Sequence, residues 1–191
     1  IVRYNEIGLK GKNRIFFERK LIKNIEDCFK KNKIKYFIKR LRGRILISTD
    51  YSGLLLKNIF GISSYSKAKE ILLDLEEIKK ESLKLVKKQK SFRITTQRID
   101  KVLMESPKLN IAVGSYVYEN RKIKVNLDNP ELEIFIELFN NHAYIFTEKV
   151  PCLNGLPVGV SGKVYVLLED WKSLVSAFLL LKRGCLITFI K

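Results

Sequence analysis

The fold of the first third of the chain is decided by residues 13–29, which read NRIFFERKLIKNIEDCF. Within this stretch the apolar side chains that recur every four residues are Phe17, Leu21, Ile25 and Phe29. Because an α-helix has about 3.6 residues per turn, this spacing aligns them in one stripe. Asn13 is a residue type that is favoured just before a helix. The stretch therefore predicts a helix that begins near Asn13 and buries its apolar stripe.

The segments on either side of this helix predict strands. Residues 1–7 lead into a Gly-containing turn at 8–14, and residues 34–39 and 44–48 follow the helix, joined by a hairpin at 41–44. A short helix at 54–58 and a strand at 61–68 complete the order β-α-β-β-α-β. This order is typical of a ferredoxin-like domain, which we place at residues 1–70.

A second pattern of helices and strands begins near residue 71. Helices are expected at 75–88 and 109–119, and strands at 91–98, 122–125, 131–139 and 142–148. After a Gly- and Pro-rich loop at 151–162, residues 163–191 predict one β-α-β unit without partner strands, as in a fragment of a larger parallel sheet. The expected fold class is α+β, with parts at 1–70, 71–160 and 161–191.

Composition excludes several classes of protein. The 191 residues are 46% hydrophobic and carry a net charge of +17, with 37 Lys and Arg against 20 Asp and Glu. No apolar run approaches the roughly 20 residues that span a membrane. The three cysteines lack C-x-x-C spacing and there is one histidine, so we expect no metal site, no disulfide framework and no Ser-His-Asp centre. A cytoplasmic protein with a polyanionic partner is expected.

The positive charge is concentrated in the first third of the chain. Residues 1–70 hold 18 basic and 6 acidic side chains, and the run from Lys30 to Arg44 contains eight basic residues and no acid. Such a run repels itself, and a phosphate backbone relieves the repulsion through counterion release. A genome that favours lysine everywhere is the alternative explanation, although it accounts poorly for the asymmetry.

Three basic patches are candidate contacts to RNA phosphates. The first lies on the Gly-containing turn at a helix start, where backbone N–H groups also favour phosphate. The second brackets Gly43, which lets a backbone approach a ligand closely. The third lies on and just after the strand at 91–98. Together the candidates are Lys10, Lys12, Arg14, Arg42, Arg44, Arg93, Arg98 and Lys101.

Candidates for catalysis are weak by comparison. His142 follows two asparagines and is interpreted as a turn residue rather than a general base. Cys152 has no acid, base or second thiol near it in sequence and is interpreted as a passive thiol. No G-x-G-x-x-G or Walker pattern is present. The sequence therefore predicts no catalytic residue.

Several strings resemble the tRNA 4-thiouridine synthetase (tRNA sulfurtransferase) family. They are RYNEIGLKGKNR at 3–14, RGR at 42–44, FGI at 60–62, RIDK at 98–101, NPE at 129–131, YIFTEK at 144–149 and GLPVG at 155–159. The resemblance implies a THUMP domain after the ferredoxin-like domain. It also implies that the pair grips the acceptor end of tRNA for a PP-loop ATPase domain, which adenylates a uridine before a persulfide sulfur is delivered.

The resemblance fails where the family holds ATP. Members carry Ser-Gly-Gly-x-Asp-Ser, but the aligned residues 168–173 read LEDWKS, with acids in place of both glycines. Of these six residues only Ser173 agrees with the motif, so Leu167, Leu168 and Ser173 mark a degenerate nucleotide site. The family uses ATP and Mg, but we expect no cofactor in this chain.

Two hypotheses about function follow from the loss of the ATP-binding motif. The leading hypothesis is a tRNA-binding protein, a decayed or truncated relative without its own ATP-dependent catalysis. The alternative is a substrate-binding subunit of a split sulfurtransferase, whose ATPase and sulfur carrier are separate chains. A homodimer and an inert basic scaffold are further alternatives.

Overall fold

The structure is a computed structural model that describes residues 1–41, 43–100 and 103–191. The chain divides into two compact units, one formed by residues 1–65 together with 149–191 and the other by residues 66–148. Within the described residues, no helix is long and apolar enough to cross a membrane. Each unit has its own hydrophobic core, so each is described separately.

The first unit begins with a short strand and one long helix. Strand β1 is Val2–Arg3, 3-10 helices follow at Glu6–Leu9 and Gly11–Asn13, and helix α1 is Arg14–Lys31. The strand predicted at 1–7 is therefore wrong beyond residue 3. The chain turns at Asn5, whose carbonyl oxygen accepts from the N–H of Gly8 at 2.9 Å, and this turn withdraws the following residues from strand pairing.

Helix α1 has the predicted start, and its buried face departs from the predicted stripe only in the first turn. Asn13 is the residue that precedes it, although the Asn13 side chain makes no capping hydrogen bond. Leu21, Ile25 and Phe29 are fully buried as the stripe predicts, whereas Phe17 is only partly buried and Glu18 takes the buried position of the first turn. A carboxylate therefore lies under the helix where the pattern predicts an apolar side chain.

The remaining strands of the first third form an antiparallel sheet. Strand β2 (Phe37–Leu41) pairs with β3 (Arg44–Ser48) in the predicted hairpin, β1 pairs with β3, and β4 (Ser64–Tyr65) pairs with β1. A 3-10 helix at Leu54–Asn58 takes the place of the second helix. The predicted β-α-β-β-α-β order is confirmed, although its fourth strand is two residues long rather than eight.

The second unit is a five-stranded mixed sheet with two helices. Its elements are β5 (Lys69–Leu72), α2 (Leu75–Leu85), β6 (Ser91–Arg98), α3 (Ser106–Arg121), β7 (Lys124–Val125), β8 (Leu132–Phe139) and β9 (His142–Phe146). The strand order is β5-β9-β8-β6-β7, with β6 parallel to both β7 and β8. Strand β5 was not predicted.

The two helices of this unit cover its core. Ile78 of α2 and Leu109, Val113 and Val117 of α3 are fully buried in one cluster with apolar residues of β6, β8 and β9. The alternation predicted for residues 91–98 is confirmed, since Phe92 and Ile94 lie in this cluster. Mixed helices and strands in both units confirm the expected α+β class.

Residues 149–191 return to the first unit. They form β10 (Val150–Pro151), β11 (Lys163–Leu167), α4 (Trp171–Lys182) and β12 (Leu186–Ile190). Strand β10 pairs with β4 at the edge of the first sheet, and the N–H of Gly61 donates to the carbonyl of Asn154 at 2.9 Å. Strands β11 and β12 form a separate two-stranded parallel sheet. The predicted β-α-β unit is therefore present.

Candidate nucleic-acid interface

The basic turn before α1 is shaped by a glycine and by short-range packing. Gly11 has a φ of +50°, a conformation that side chains with a Cβ rarely adopt, and it begins the 3-10 turn that carries Lys12. Lys12 is exposed, whereas the Lys10 ammonium lies 5.1 Å from the centre of the Phe17 ring. The turn therefore presents cations just before Arg14, the first residue of the helix.

Arg14 belongs to a cluster built around the buried carboxylate of Glu18. Arg14 Nε donates to Glu18 Oε1 at 2.8 Å, and Arg40 Nη1 from β2 donates to Glu18 Oε2 at 2.7 Å. The Tyr4 hydroxyl also donates to Glu18 Oε1, and it accepts from Arg14 Nη2 at 2.9 Å. Four side chains from three segments are thus joined in one network.

The groups around Glu18 decide whether its carboxylate is ionised. Burial alone would raise the pKa of Glu18, but the hydrogen bonds from Tyr4, Arg40 and Arg14 outweigh it, so its pKa lies below the usual value. Burial, followed by the hydrogen bond to Glu18, raises the pKa of Tyr4, so the phenol stays protonated and donates. Glu18 is therefore an ionised group held between two arginines.

A surface cavity of about 410 Å³ opens beside this cluster. Its lining residues are Gly11, Lys12, Arg14, Ile15, Glu18, Arg40 and Leu41. Arg14 and Arg40 remain 28% and 42% exposed, so both guanidinium groups reach solvent while they hold Glu18. Lys12 and Arg14 were predicted here from the sequence, whereas Arg40 and Glu18 were not. One signal was available, since Glu18 lies three residues before Leu21 and thus on the buried face of the helix.

The second basic patch lies at the tip of the β2–β3 hairpin. Gly43 has a φ of +78°, which this tight connection requires, and Arg44 Nη1 donates to the Gly43 carbonyl at 2.8 Å. Arg44 pairs with Leu41 in the hairpin register. Arg42 lies outside the described residues. The described part of the patch is thus a half-buried arginine that folds back on its own turn.

The third patch belongs to the second unit, and its described residues differ in their contacts. Arg93 on β6 donates through Nε to Glu133 on β8 at 3.1 Å and through Nη1 to the carbonyl of Leu127 at 2.5 Å. Arg93 therefore ties neighbouring segments of the sheet together. Arg98, at the end of the same strand, is half-buried. Lys101 lies outside the described residues.

The start of α4 is the region that the sequence aligns with an ATP-binding loop. Asp170 Oδ1 accepts from the backbone N–H of Lys172 at 2.8 Å and from that of Ser173 at 3.2 Å. The Ser173 hydroxyl in turn accepts from the backbone N–H groups of Glu169 and Asp170. Leu167 and Leu168 are exposed and apolar.

This capping arrangement does not suit a triphosphate. A phosphate cradle needs free backbone N–H groups and a positive local field. At α4 the N–H groups of Lys172 and Ser173 are held by the Asp170 carboxylate, and Glu169 adds a second negative charge. The remnant positions Leu167, Leu168 and Ser173 therefore carry one polar side chain, and that side chain completes the cap.

The histidine and the loop thiol are held by local contacts. His142 Nδ1 lies 2.7 Å from the carbonyl oxygen of Asn140 in the turn before β9. Burial raises the pKa of the Cys152 thiol to about 11, so the thiol carries little thiolate near neutral pH. Among the described residues, no group of three His, Cys, Asp or Glu side chains is placed to hold a metal ion.

Two family models together match most of the chain. The ThiI ferredoxin-like domain matches residues 1–66, and the THUMP domain matches residues 68–148. The "Probable tRNA sulfurtransferase" of Thermococcus kodakarensis is 39% identical over 199 residues, which cover 96% of this chain and 52% of that protein. The chain therefore carries a ThiI ferredoxin-like domain and a THUMP domain. It spans about half the length of the curated sulfurtransferases that it matches.

Two solved structures are similar to this chain over nearly its whole length. The crystal structure of PH1313 from Pyrococcus horikoshii has a TM-score of 0.89 at 34% identity, covering 98% of this chain and 66% of that one. A 4-thiouridine synthetase in complex with RNA and with bound ATP has a TM-score of 0.77 at 36% identity, covering 98% of this chain and 50% of that one. The resemblance seen in the sequence motifs is confirmed.

Proposed function

We propose that this chain binds tRNA, mainly through the basic surface of its first unit. The observation that carries the proposal is the convergence of Lys12, Arg14 and Arg40 on one cavity of a ThiI ferredoxin-like domain. One matched structure is a 4-thiouridine synthetase in complex with RNA, and the proposal extends RNA binding from that protein to this chain. The acceptor end of tRNA is the part that we expect to be held.

The contacts are proposed to read the RNA backbone rather than its bases. The proposed contacts are Lys10, Lys12, Arg14, Arg42 and Arg44 in the first unit and Arg93, Arg98 and Lys101 in the second. Lysine and arginine contacts to phosphate supply affinity and orientation but carry little sequence information. Double-stranded RNA is in any case recognised largely by its shape. We therefore expect different tRNAs to bind with similar affinity.

A filter-binding titration against tRNA at rising salt tests this function. Neutralised phosphates release counterions, so the logarithm of the affinity is expected to fall linearly with the logarithm of the salt concentration. Charge reversal of Arg42 and Arg44 is expected to weaken the binding of all tRNAs alike. Absence of binding, or affinity that salt does not change, would overturn the proposal. Equal binding to heparin would instead indicate an inert basic scaffold.

A second proposed role is to hold tRNA for catalysis by a PP-loop ATPase domain outside these 191 residues. The observation that favours it is an apolar surface on α4 and the strands beside it. Its exposed residues include Trp171, Leu174, Val175, Phe178, Leu179 and Phe189. A two-stranded sheet is too small to be stable alone, and exposed apolar patches of this kind mark interaction sites. We propose that the catalytic domain covers this surface.

A reconstituted thiolation assay tests this second role. We expect ATP-dependent thiolation of tRNA only when this chain is mixed with a PP-loop ATPase and a sulfur donor. Trp171→Asp, which charges the apolar surface, is expected to abolish thiolation while tRNA binding persists. Thiolation by the chain alone would contradict the proposal. A homodimer in sedimentation analysis that Trp171→Asp dissociates would identify a second copy as the occupant instead.

A cytoplasmic location is part of the proposal. Cys28, Cys152 and Cys185 are free thiols, and free thiols are typical of a reducing compartment. tRNA modification also requires access to tRNA. Fractionation of cells that express the protein is expected to recover it with the cytoplasmic tRNA-binding proteins.

A further inference from the structure

We propose that Glu18 is a positioning residue for RNA binding, fixing Arg14 and Arg40 as a guanidinium pair that holds one backbone phosphate at the cavity. The inference rests on the proposed tRNA-binding function and deepens it. Tyr4 completes the arrangement from the buried side. Glu18 itself does not touch the RNA; it acts through the two arginines.

The geometry leaves each arginine with donors to spare. A guanidinium carries five N–H donors in a planar fork. Arg14 uses Nε for Glu18 and Nη2 for Tyr4, and Arg40 uses Nη1 for Glu18. Among the described residues, the other donors of these two groups make no hydrogen bond. The spare donors are therefore available to an anion at the cavity that both arginines line.

The charge of the cluster favours a single anion. Glu18 is 2% exposed, and both of its oxygens are occupied. Two guanidinium groups and one carboxylate leave a net charge of about +1 at the cavity, and exposed Lys12 adds another cation to its rim. One phosphodiester group of RNA carries one negative charge and can accept hydrogen bonds from two arginines. Its single negative charge thus balances the net charge of Arg14, Arg40 and Glu18.

Glu18 holds the side chains of Arg14 and Arg40 in place before RNA binds. Immobilising a flexible side chain on binding costs conformational entropy. In this chain the arginines are already held by the carboxylate before any ligand arrives, at 2.8 Å for Arg14 and 2.7 Å for Arg40. Arg40 comes from β2 and Arg14 from α1, so without Glu18 nothing described in the structure would hold the two groups side by side.

The effect of Glu18→Gln on tRNA affinity distinguishes a positioning role from simple electrostatics, because the two predict changes in opposite directions. Glu18→Gln removes a negative charge from a basic surface, so Coulomb attraction alone predicts tighter binding of tRNA. Positioning predicts the opposite, with affinity about tenfold weaker and a log–log salt slope smaller by about 1, as for the loss of one phosphate contact. The matched control is Asp27→Asn, which removes the same charge from the same helix by breaking the exposed Lys23–Asp27 pair. For this control we expect unchanged or slightly tighter binding.

Two milder variants keep the test decisive if Glu18→Gln does not fold. Arg40→Lys retains the charge but loses the planar fork, and Tyr4→Phe retains every charge but removes one hydrogen bond to Glu18. Both are expected to weaken tRNA binding by about threefold to tenfold, with circular dichroism spectra like that of the wild type.

The outcomes distinguish this inference from the function on which it rests. If wild-type protein does not bind tRNA, the proposed function fails. If wild-type protein binds and folded Glu18→Gln, Arg40→Lys and Tyr4→Phe bind as tightly, only the positioning role fails, and the cluster serves the fold alone. Weaker binding by these variants, with Asp27→Asn unaffected, supports the inference.

Discussion

The starts of helices α1 and α4 differ both in their capping and in the charges around them. At α1 the preceding side chain, Asn13, makes no capping hydrogen bond, and its neighbours Lys12 and Arg14 are cations. At α4 the preceding side chain is Asp170, which accepts from two backbone N–H groups and is capped in return by Ser173. One helix start is surrounded by positive charge, whereas the other is already occupied by the chain's own carboxylate.

This difference explains which region suits a phosphate. Both helix starts carry the partial positive charge of aligned peptide dipoles, which attracts anions. At α4 that attraction is satisfied internally by Asp170, and Glu169 repels further anions. At α1 the only buried acid, Glu18, is neutralised by two arginines that still reach solvent. A helix start therefore serves stability at one end of the chain and, by our proposal, RNA binding at the other.

The largest expected effect comes from reversing charge at the start of α1. In Lys10→Glu/Lys12→Glu we expect tRNA affinity to fall more than tenfold at physiological salt, and the log–log salt slope to decrease by about 2. The control is Lys163→Glu/Lys172→Glu, which changes the net charge equally near α4. Filter binding of both variants measures the difference. Equal losses would show that only the net charge of the chain matters and would remove the contrast between the two regions.

The elements that the sequence predicted well are those that local spacing determines. Helix α1 follows from an apolar repeat of four residues, and the β2–β3 hairpin follows from two short strands joined through Gly43. The two-residue strands β1 and β4 were overestimated, because their ends depend on partners far along the chain. Strand β4, for example, pairs with β10, so that Tyr65 lies opposite Val150.

The candidate site was predictable only where neighbouring residues in the sequence form it. Lys12 and Arg14 belong to one continuous basic turn, which the sequence displays directly. Arg40 joins them only because β2 packs beside α1, and its partner Glu18 lies 22 residues earlier. Long-range contacts of this kind leave no periodic signal. The reciprocal cap formed by Asp170 and Ser173 was also not predicted.

A smaller effect is expected on stability, and it sharpens the contrast in capping. Replacing a capping Asp by Ala costs about 1 kcal/mol of folding free energy. We expect this cost for Asp170→Ala, and less than about 0.5 kcal/mol for Asn13→Ala, because the Asn13 side chain makes no capping hydrogen bond. Urea denaturation followed by circular dichroism measures both values. If Asn13→Ala were as costly as Asp170→Ala, the start of α1 would be capped in solution and the comparison would fail.

The smallest expected effect is on the pH dependence of stability. Because the folded-state pKa of Glu18 lies below its usual value, its ionised form stabilises the fold above the unfolded-state pKa, and this contribution is lost as pH falls through the folded-state pKa. Burial and the hydrogen bonds act on this pKa in opposite directions, so the net contribution is modest. We therefore expect the difference in unfolding free energy between wild type and Glu18→Gln to shrink as pH falls from 7 to 3.

The exposed acid on the same helix provides the comparison for this measurement. Asp27 is 55% exposed, and an ion pair at such a site contributes little to stability. Asp27→Asn should therefore lose stability with falling pH almost as the wild type does, because it keeps Glu18. A constant difference between wild type and Glu18→Gln across this pH range would mean that the carboxylate is not held ionised by its arginines. Glu18 would then not fix Arg14 and Arg40 as a pair, whatever stability is measured for Asp170→Ala.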